Sequence, residues 1–147
     1  MSANADAAVA MFKEGYNCSQ SVLAACGRQF GVTRDQACHL GQVFGGGMCG
    51  LDQACGAVTG AFMAIGLKYA KTGADDAPKI KAHRLAQEFA ERFASHHGSL
   101  SCTQLLGHNL RVPGERERVQ ALGLFQTLCP RLVRDAVEIV DDLLEKE

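Results

Sequence analysis

The sequence predicts an all-α fold, a single compact helical bundle domain of about five to seven helices over residues 1–147. Three observations predict it. Stretches of alternating Val, Ile, Thr or aromatic residues, the mark of a strand, are nearly absent. Glycines recur as stops behind helix-prone runs, at Gly15, Gly31, Gly73 and Gly98. Apolar residues fall at helical spacing: Ala82, Leu85, Ala86, Phe89, Ala90 and Phe93 follow the i, i+3, i+4, i+7, i+8, i+11 pattern of one helix face.

Each element has its own justification. Residues 6–14 are Ala-rich and helix-prone, and Gly15 fits their C-cap. Asn17 or Ser19 caps a second helix that runs to Phe30 and stops at Gly31. Thr33 with Gln36 forms a capping box and opens a short helix to about Phe44, where Gly45, Gly46 and Gly47 break the chain. Asp52 is a candidate N-cap for a long apolar helix over residues 54–71, with Lys68 and Lys71 in its last turn and Gly73 beyond it. Asp75 or Asp76, followed by Pro78, starts the helix that carries the apolar stripe. Its other side holds Lys81, Arg84, Glu88, Glu91 and Arg92, and Glu88 with Arg92 is a favourable i, i+4 pair. Gly98 ends this helix. Ser99 or Ser101 caps a short one through Leu106, residues 111–114 form a loop, and residues 115–128 form another helix. Pro130 disfavours the α region for the residue before it, so Cys129 is expected as an N-cap with Pro130 at the first helical position. The last helix runs to about Leu144 with Val133, Ala136, Val137, Val140 and Leu144 inward.

Composition excludes several function classes. A chain of 147 residues, 47% hydrophobic and 21% charged, can hold a core without staples, which argues against disorder and against a disulfide-dependent miniprotein. A net charge of -1 and the absence of Trp give phosphates and bases nothing to bind, so no nucleic acid is expected. The apolar run over residues 54–67 falls short of the roughly 20 residues a span requires, so no membrane insertion is expected. The first six residues carry an acid and lack a basic or long apolar stretch. This reads as the absence of a signal peptide, and the expected location is the reducing cytoplasm.

The outlier is cysteine, seven of them, an odd count that poorly fits a disulfide framework. Cys18, Cys55, Cys102 and Cys129 all fall at expected helix N-termini. Unpaired amides and the helix dipole there favour negative charge, so these thiols are expected to have a lowered pKa and to populate the thiolate, which is both nucleophile and metal ligand. Arg131 and Arg134 add positive charge after Cys129. Cys26 and Cys38 fall inside helices and read as core residues. Cys49, in the glycine loop, is ambiguous.

The spacings exclude C-x-x-C and C-x-x-C-H chemistry, so a site needs thiolates from four separate segments. Residues 45–50 formally match G-x-G-x-x-G, but no strand precedes them, and a permissive loop is the better reading. In residues 55–60 (CGAVTG), Gly56 and Gly60 lie one helical turn apart. Either two helices pack tightly there, or Cys55 is held against something close. His96 and His97 close a helix, where the C-terminal dipole favours them, and residues 115–118 read as a solvated face.

Residues 17–20 (NCSQ), the loop 44–48 (FGGGM), residues 55–60 (CGAVTG), residues 89–93 (FAERF) leading to Cys102, and Cys129 occur in an order that resembles the putative redox-active C_GCAxxG_C_C protein family. The resemblance covers nearly the whole chain. It implies a small helical protein with a redox or metal-related role, and it carries the characteristic cysteines onto Cys18, Cys55, Cys102 and Cys129. It supplies no reaction. The cysteine pattern is also similar to part of the split-Soret cytochromes, which implies an iron–sulfur centre, although this chain lacks their haem attachment motif.

Three functions follow as expectations. In the first, Cys18, Cys55, Cys102 and Cys129, with Cys49 as an additional candidate, ligate an iron–sulfur cluster or other thiolate-bound metal for electron transfer with a redox partner protein. In the second, an oxidoreductase performs metal-free thiol–disulfide exchange. In the third, a structural or binding protein carries inert buried cysteines. The apolar Ala/Gly helix could also pair two copies as a homodimer.

Overall fold

Capping chemistry places the helix starts in the computed structural model, which describes residues 2–146. Ser2 accepts from the Ala5 N–H and opens α1 (Ala3–Lys13). Asn17 Oδ1 accepts from the Gln20 N–H at 2.8 Å, and Gln20 Oε1 accepts from the Asn17 N–H at 2.9 Å, a reciprocal box that opens α2 (Cys18–Gly27). A 3-10 turn (Arg28–Phe30) and left-handed Gly31 follow. Thr33 and Gln36 repeat the box at α3 (Arg34–Gly41). Next comes a turn of left-handed backbone, α4 (Gly45–Gly50), in which Gly46, Gly47, Met48 and Cys49 have φ of 64°, 73°, 63° and 62°. The remaining elements are α5 (Gly56–Lys68), α6 (Ala77–His97), α7 (Cys102–Leu106), α8 (Glu115–Ala121), α9 (Leu124–Thr127) and α10 (Cys129–Glu145).

The all-α expectation holds. Among the described residues there is no strand, only an isolated antiparallel bridge between Ala54 and Ser101. No helix among them is long and apolar enough to cross a membrane. Three boundaries differ from expectation. Asp52 caps nothing: it sits at φ 64°, and α5 begins at Gly56 behind Cys55 and ends at Lys68. The helix expected over residues 115–128 breaks at Gly123, whose φ of 75° is a left-handed stop. Cys129 is the first helical residue rather than the cap, with Leu128 before it and Pro130 behind, where a first-turn proline loses no helical hydrogen bond.

One cluster of buried side chains draws on residues from Ala5 to Leu144. Phe89 and Phe93 stack at 5.7 Å on the predicted stripe of α6. The inward set of α10, Val133, Ala136, Val137, Val140 and Leu144, is buried as its spacing requires. Arg92 donates to Glu88 at 2.8 Å and to Asp142 at 2.6 Å, tying α6 to α10.

α2 is enclosed by α1, α3, α5 and α10 and buries even polar residues. Each of these has a partner. Gln20 Nε2 donates to the Cys38 carbonyl at 2.8 Å, Ser21 Oγ to the Asn17 carbonyl at 2.8 Å, and Thr59 Oγ1 to Ser19 Oγ at 3.1 Å. The closest packing is between α2 and α5. A Cβ on Gly56 would meet the Ser19 nitrogen at 2.9 Å and the Cys18 Cβ at 3.0 Å, and one on Gly60 would meet the Ser19 oxygen at 2.8 Å. Both readings of residues 55–60 are therefore correct at once: the glycines let two helices touch, and the contact sets Cys55 against Cys18.

Asn17 holds the start of α2 to the end of α3. Its Nδ2 donates to the Gly41 carbonyl at 3.0 Å and the Gln42 carbonyl at 3.2 Å, in addition to the cap. Asn17→Ala removes both sets of bonds and should cost about 1–2 kcal/mol in a urea titration. An unchanged midpoint would contradict this anchoring.

Candidate functional site

Four cysteines from four different helix starts line one cavity of about 790 Å³. Cys18 opens α2, Cys55 caps α5, Cys102 opens α7 and Cys129 opens α10. All four are buried, and none of the seven cysteines is in a disulfide. Phe12, Leu105, Leu106, Phe125 and Leu132 contribute apolar surface to the same cavity.

Backbone geometry explains the convergence. The Gly56 and Gly60 contacts bring Cys18 to Cys55. The Cys55 N–H donates to the Leu100 carbonyl at 2.8 Å and the Cys102 N–H to the Gln53 carbonyl at 3.0 Å, which bolts the start of α5 to the start of α7. The left-handed turn packs beneath. The Gln53 N–H donates to the Gly47 carbonyl at 2.9 Å, and a Cβ on Gly47 would stand 2.9 Å from the Cys102 Cβ. Only glycine fits there, on both φ and space. Met48 and Cys49 are held in the same left-handed region without that freedom, a strained arrangement typical of functional sites. Cys49 is exposed and also lines the cavity.

The thiols are electrostatically linked. The Cys18 thiol contacts those of Cys129 and Cys55, and these contacts, then burial, hold its proton well above the usual thiol range. Cys55 moves the other way. The hydrogen bond it accepts from Cys18 favours its anion, burial opposes, and the amides of Ala57 and Val58 at the start of α5 add to the lowering. Cys102 is pushed up to about 12, first by burial and then by the neighbouring Cys55 and Cys129, while Arg116 pulls the other way.

The lowered pKa expected at all helix starts is thus realised at Cys55 and reversed at Cys18 and Cys102. Like-charging groups in a buried space cannot all ionise, so an anion at Cys55 raises Cys18 and Cys102. Cys26 is fully buried and pushed up by desolvation, as a core thiol should be. Cys38 is only half-buried, so it is not the core residue its helical position suggested.

A pH dependence follows. An unfolded thiol ionises near 9.0, while Cys18, Cys26 and Cys102 stay protonated above that in the fold. Above pH 9 the unfolded chain binds fewer protons, so stability must fall as pH rises. The lowered Cys55 opposes this but is outnumbered. The reduced, metal-free protein should lose stability from pH 9 towards 12, by up to about 1.4 kcal/mol per pH unit for each such thiol. Urea midpoints measured across this range would check it, and Cys102→Ala should flatten the decline.

Two features escaped the sequence reading. Arg116, placed on a solvated face, lines the cavity, and its charge reaches Cys102. Arg134, expected to add charge beside Cys129, instead pairs with Asp6 at 2.7 Å. No local signal marks either, because both depend on which distant segment packs alongside. The formal G-x-G-x-x-G is the left-handed turn and opens no strand–helix unit.

Among the described residues, no three of the thiol sulfurs lie all within 4.8 Å of one another, although Cys18 contacts both Cys55 and Cys129. The His/Cys/Asp/Glu group whose donor atoms all lie within 4.8 Å of one another is His96, His97 and Asp135, between the end of α6 and α10. A single tetrahedral zinc, with Zn–S near 2.3 Å, would need sulfurs about 3.8 Å apart.

Residues 16–143 match the family described as "Putative redox-active protein (C_GCAxxG_C_C)". The description writes the central motif GCAxxG, and the chain reads Cys55, Gly56, Ala57, Val58, Thr59, Gly60, with the first two letters exchanged. Neither a curated protein nor a solved structure matches the chain.

Proposed function

The chain belongs to this family of putative redox-active proteins, and on that premise we propose that it is an electron carrier in which Cys18, Cys55, Cys102 and Cys129 hold an iron–sulfur cluster. The observation that carries the proposal is the set of four free thiols, each delivered by a different helix start, around one cavity. The donor set fits the group, since four cysteines complete a cluster's terminal ligation. Among the described residues no three of these sulfurs lie all within 4.8 Å of one another, looser than the about 3.8 Å of a mononuclear zinc site, which favours a polynuclear centre.

Bound, such a cluster supplies reversible one-electron transfer to a redox partner protein. The chain's own residues prepare for negative charge. Cys55 favours its thiolate, the amides of Ala57 and Val58 hydrogen-bond its sulfur, and Arg116 adds a positive charge on the cavity wall. Phe12, Leu106 and Phe125 add apolar surface to the cavity that the thiols line. A reducing compartment such as the cytoplasm would keep all four thiols available.

The contact between Cys18 and Cys55 favours a second reading, metal-free exchange. The Cys55 thiolate attacks one sulfur of a substrate disulfide, forming a mixed disulfide and releasing one thiolate. Cys18 gives up its proton to that leaving group and attacks the Cys55 sulfur, releasing the second thiolate. The products are a Cys18–Cys55 disulfide and a substrate reduced by two electrons.

Oxygen-free purification, a visible spectrum, and assays of iron, sulfide and zinc separate these. A brown protein with stoichiometric iron and sulfide supports the cluster. A colourless, metal-free protein that loses two thiols per disulfide on mild oxidation supports exchange. Thiols that are metal-free and unreactive until denaturation would refute both and leave an inert structural or binding protein.

A further inference from the structure

Away from the thiol cavity, the last residues of α6 meet α10 through two imidazoles and one carboxylate. His96 Nδ1 lies 2.8 Å from Asp135 Oδ2, and His97 Nε2 lies 2.6 Å from the same oxygen. A carboxylate oxygen only accepts, so both ring nitrogens donate their protons to one point. The rings are not free to wander. His97 packs on Phe93 with centroids 4.7 Å apart, and its side chain is only 16% exposed; that of Asp135 is 22% exposed. His96 stands edge-on to His97 and faces solvent.

We propose that His96, His97 and Asp135 form a binding site for a divalent first-row transition-metal ion of the zinc class, with Nδ1, Nε2 and Oδ2 as ligands and solvent completing the shell. Metal–nitrogen and metal–oxygen bonds of about 2.0–2.2 Å put neighbouring donors roughly 3 Å apart, which the two nitrogen–oxygen separations approach without rearrangement. Imidazole and carboxylate are the donors such ions select, whereas calcium or magnesium would want oxygens throughout. The ion replaces the two protons now shared with Oδ2, and the opposite ring nitrogens remain available to hydrogen-bond outward. The solvent-exposed His96 side chain provides the entry path.

The position gives the site a structural consequence. His97 is the last residue of α6, from which residues 98–101 lead directly to Cys102. Asp135 lies on α10, which begins at Cys129. An ion here cross-links the two segments that deliver Cys102 and Cys129, and it does so at the surface, with hard and borderline ligands distinct from the sulfur set.

Cobalt(II), added to the anaerobically purified protein as isolated, distinguishes the two locations. Ions on thiolates produce intense sulfur-to-metal charge transfer, while an ion on two imidazoles and a carboxylate shows only weak ligand-field bands. The expected result is a component with weak bands alone, at one cobalt per chain. It should be lost in Asp135→Asn and bound at least about tenfold more weakly in His96→Gln, as for other ligand-sphere losses. His96→Gln sits at an exposed position and keeps the fold, so it remains decisive should Asp135→Asn unfold. The same wild-type protein should gain thermal stability with added cobalt and His96→Gln should not. A spectrum with charge-transfer bands only, or weak bands that survive His96→Gln at unchanged affinity, would overturn the site.

Discussion

Cys55→Ser should abolish iron and sulfide retention, leaving metal content at background, while Cys38→Ser retains the full complement. Cys55 is the thiol whose surroundings already favour the anion, through the proton offered by Cys18 and the amides of Ala57 and Val58. A serine hydroxyl does not ionise there and does not bind iron as thiolate does. The substitution is also a clean probe. Cys55 is the N-cap of α5, and serine is among the residues that cap best, so the helix start should persist while the chemistry disappears. Cys102→Ser should behave alike, since it removes another of the four ligands from the same cavity. Cys38 is half-buried on α3, away from the cavity lining, and contributes its carbonyl rather than its sulfur to the structure. Iron and sulfide assays beside a circular-dichroism check of folding decide the matter. Equal losses at Cys38, Cys55 and Cys102 would break the sorting of the cysteines, and full retention in Cys55→Ser would remove the cluster assignment altogether.

The exchange reading makes a different demand on the same variant. There, Cys55→Ser should lose its reaction with small disulfides at neutral pH, with no metal content to lose. The two mechanisms share a nucleophilic sulfur and differ in whether Cys102 and Cys129 matter as much as Cys55.

What the sequence disclosed, and what it hid, follows from the range of the interactions. Capping is local, within three residues: the Thr33 box stands in the structure as read, and of the two caps offered for α2 the structure uses Asn17, with a box to Gln20. The α6 stripe and the inward set of α10 are periodic and were equally legible. Asp52 misled because an acidic residue before an apolar run has two uses. It can cap a helix, or it can accept a left-handed turn, and the packing of Gly47 under Cys102 selects the second. Gly123 misled for a related reason: a glycine inside a helical pattern looks tolerable until it adopts positive φ. At the site, helix-start position picked out the four clustered thiols, because capping is local. Their protonation was not legible, because it depends on the distances between sulfurs on four separate segments. The trio of His96, His97 and Asp135 hid for the same reason, its carboxylate lying 38–39 residues along the chain.

Gly56→Ala and Gly60→Ala should each destabilise the fold by about 1–3 kcal/mol, the cost of overpacking, whereas Gly66→Ala in the same helix should stabilise it by about 0.5–1 kcal/mol. Gly60 and Gly66 both lie inside α5 and gain similarly in helix propensity on replacement, so their difference in sign isolates the packing. At Gly66 an added methyl meets nothing within 4 Å. At Gly60 it meets the Ser19 oxygen and the Val22 Cβ at 2.8 and 2.9 Å, and at Gly56 it meets the Ser19 nitrogen, the Cys18 Cβ and the Gly45 Cα at 2.9, 3.0 and 3.1 Å. The obstructing atoms are backbone or Cβ, so no flexible side chain can swing aside, and α2 must move away from α5. That movement carries Cys18 away from Cys55, because Cys18 is itself one of the atoms met. Gly56→Ala should therefore raise the Cys55 pKa towards an ordinary thiol, visible as slower alkylation at neutral pH in the metal-free protein, while Gly66→Ala leaves the rate unchanged. If Gly56→Ala lowered stability without slowing Cys55, the thiolate would owe its character to the amides of α5 alone. Slowing without destabilisation would instead place the effect in the sulfur–sulfur contact. Loss of both together is the expected outcome, since one close approach of two helices creates the packing and the reactive pair.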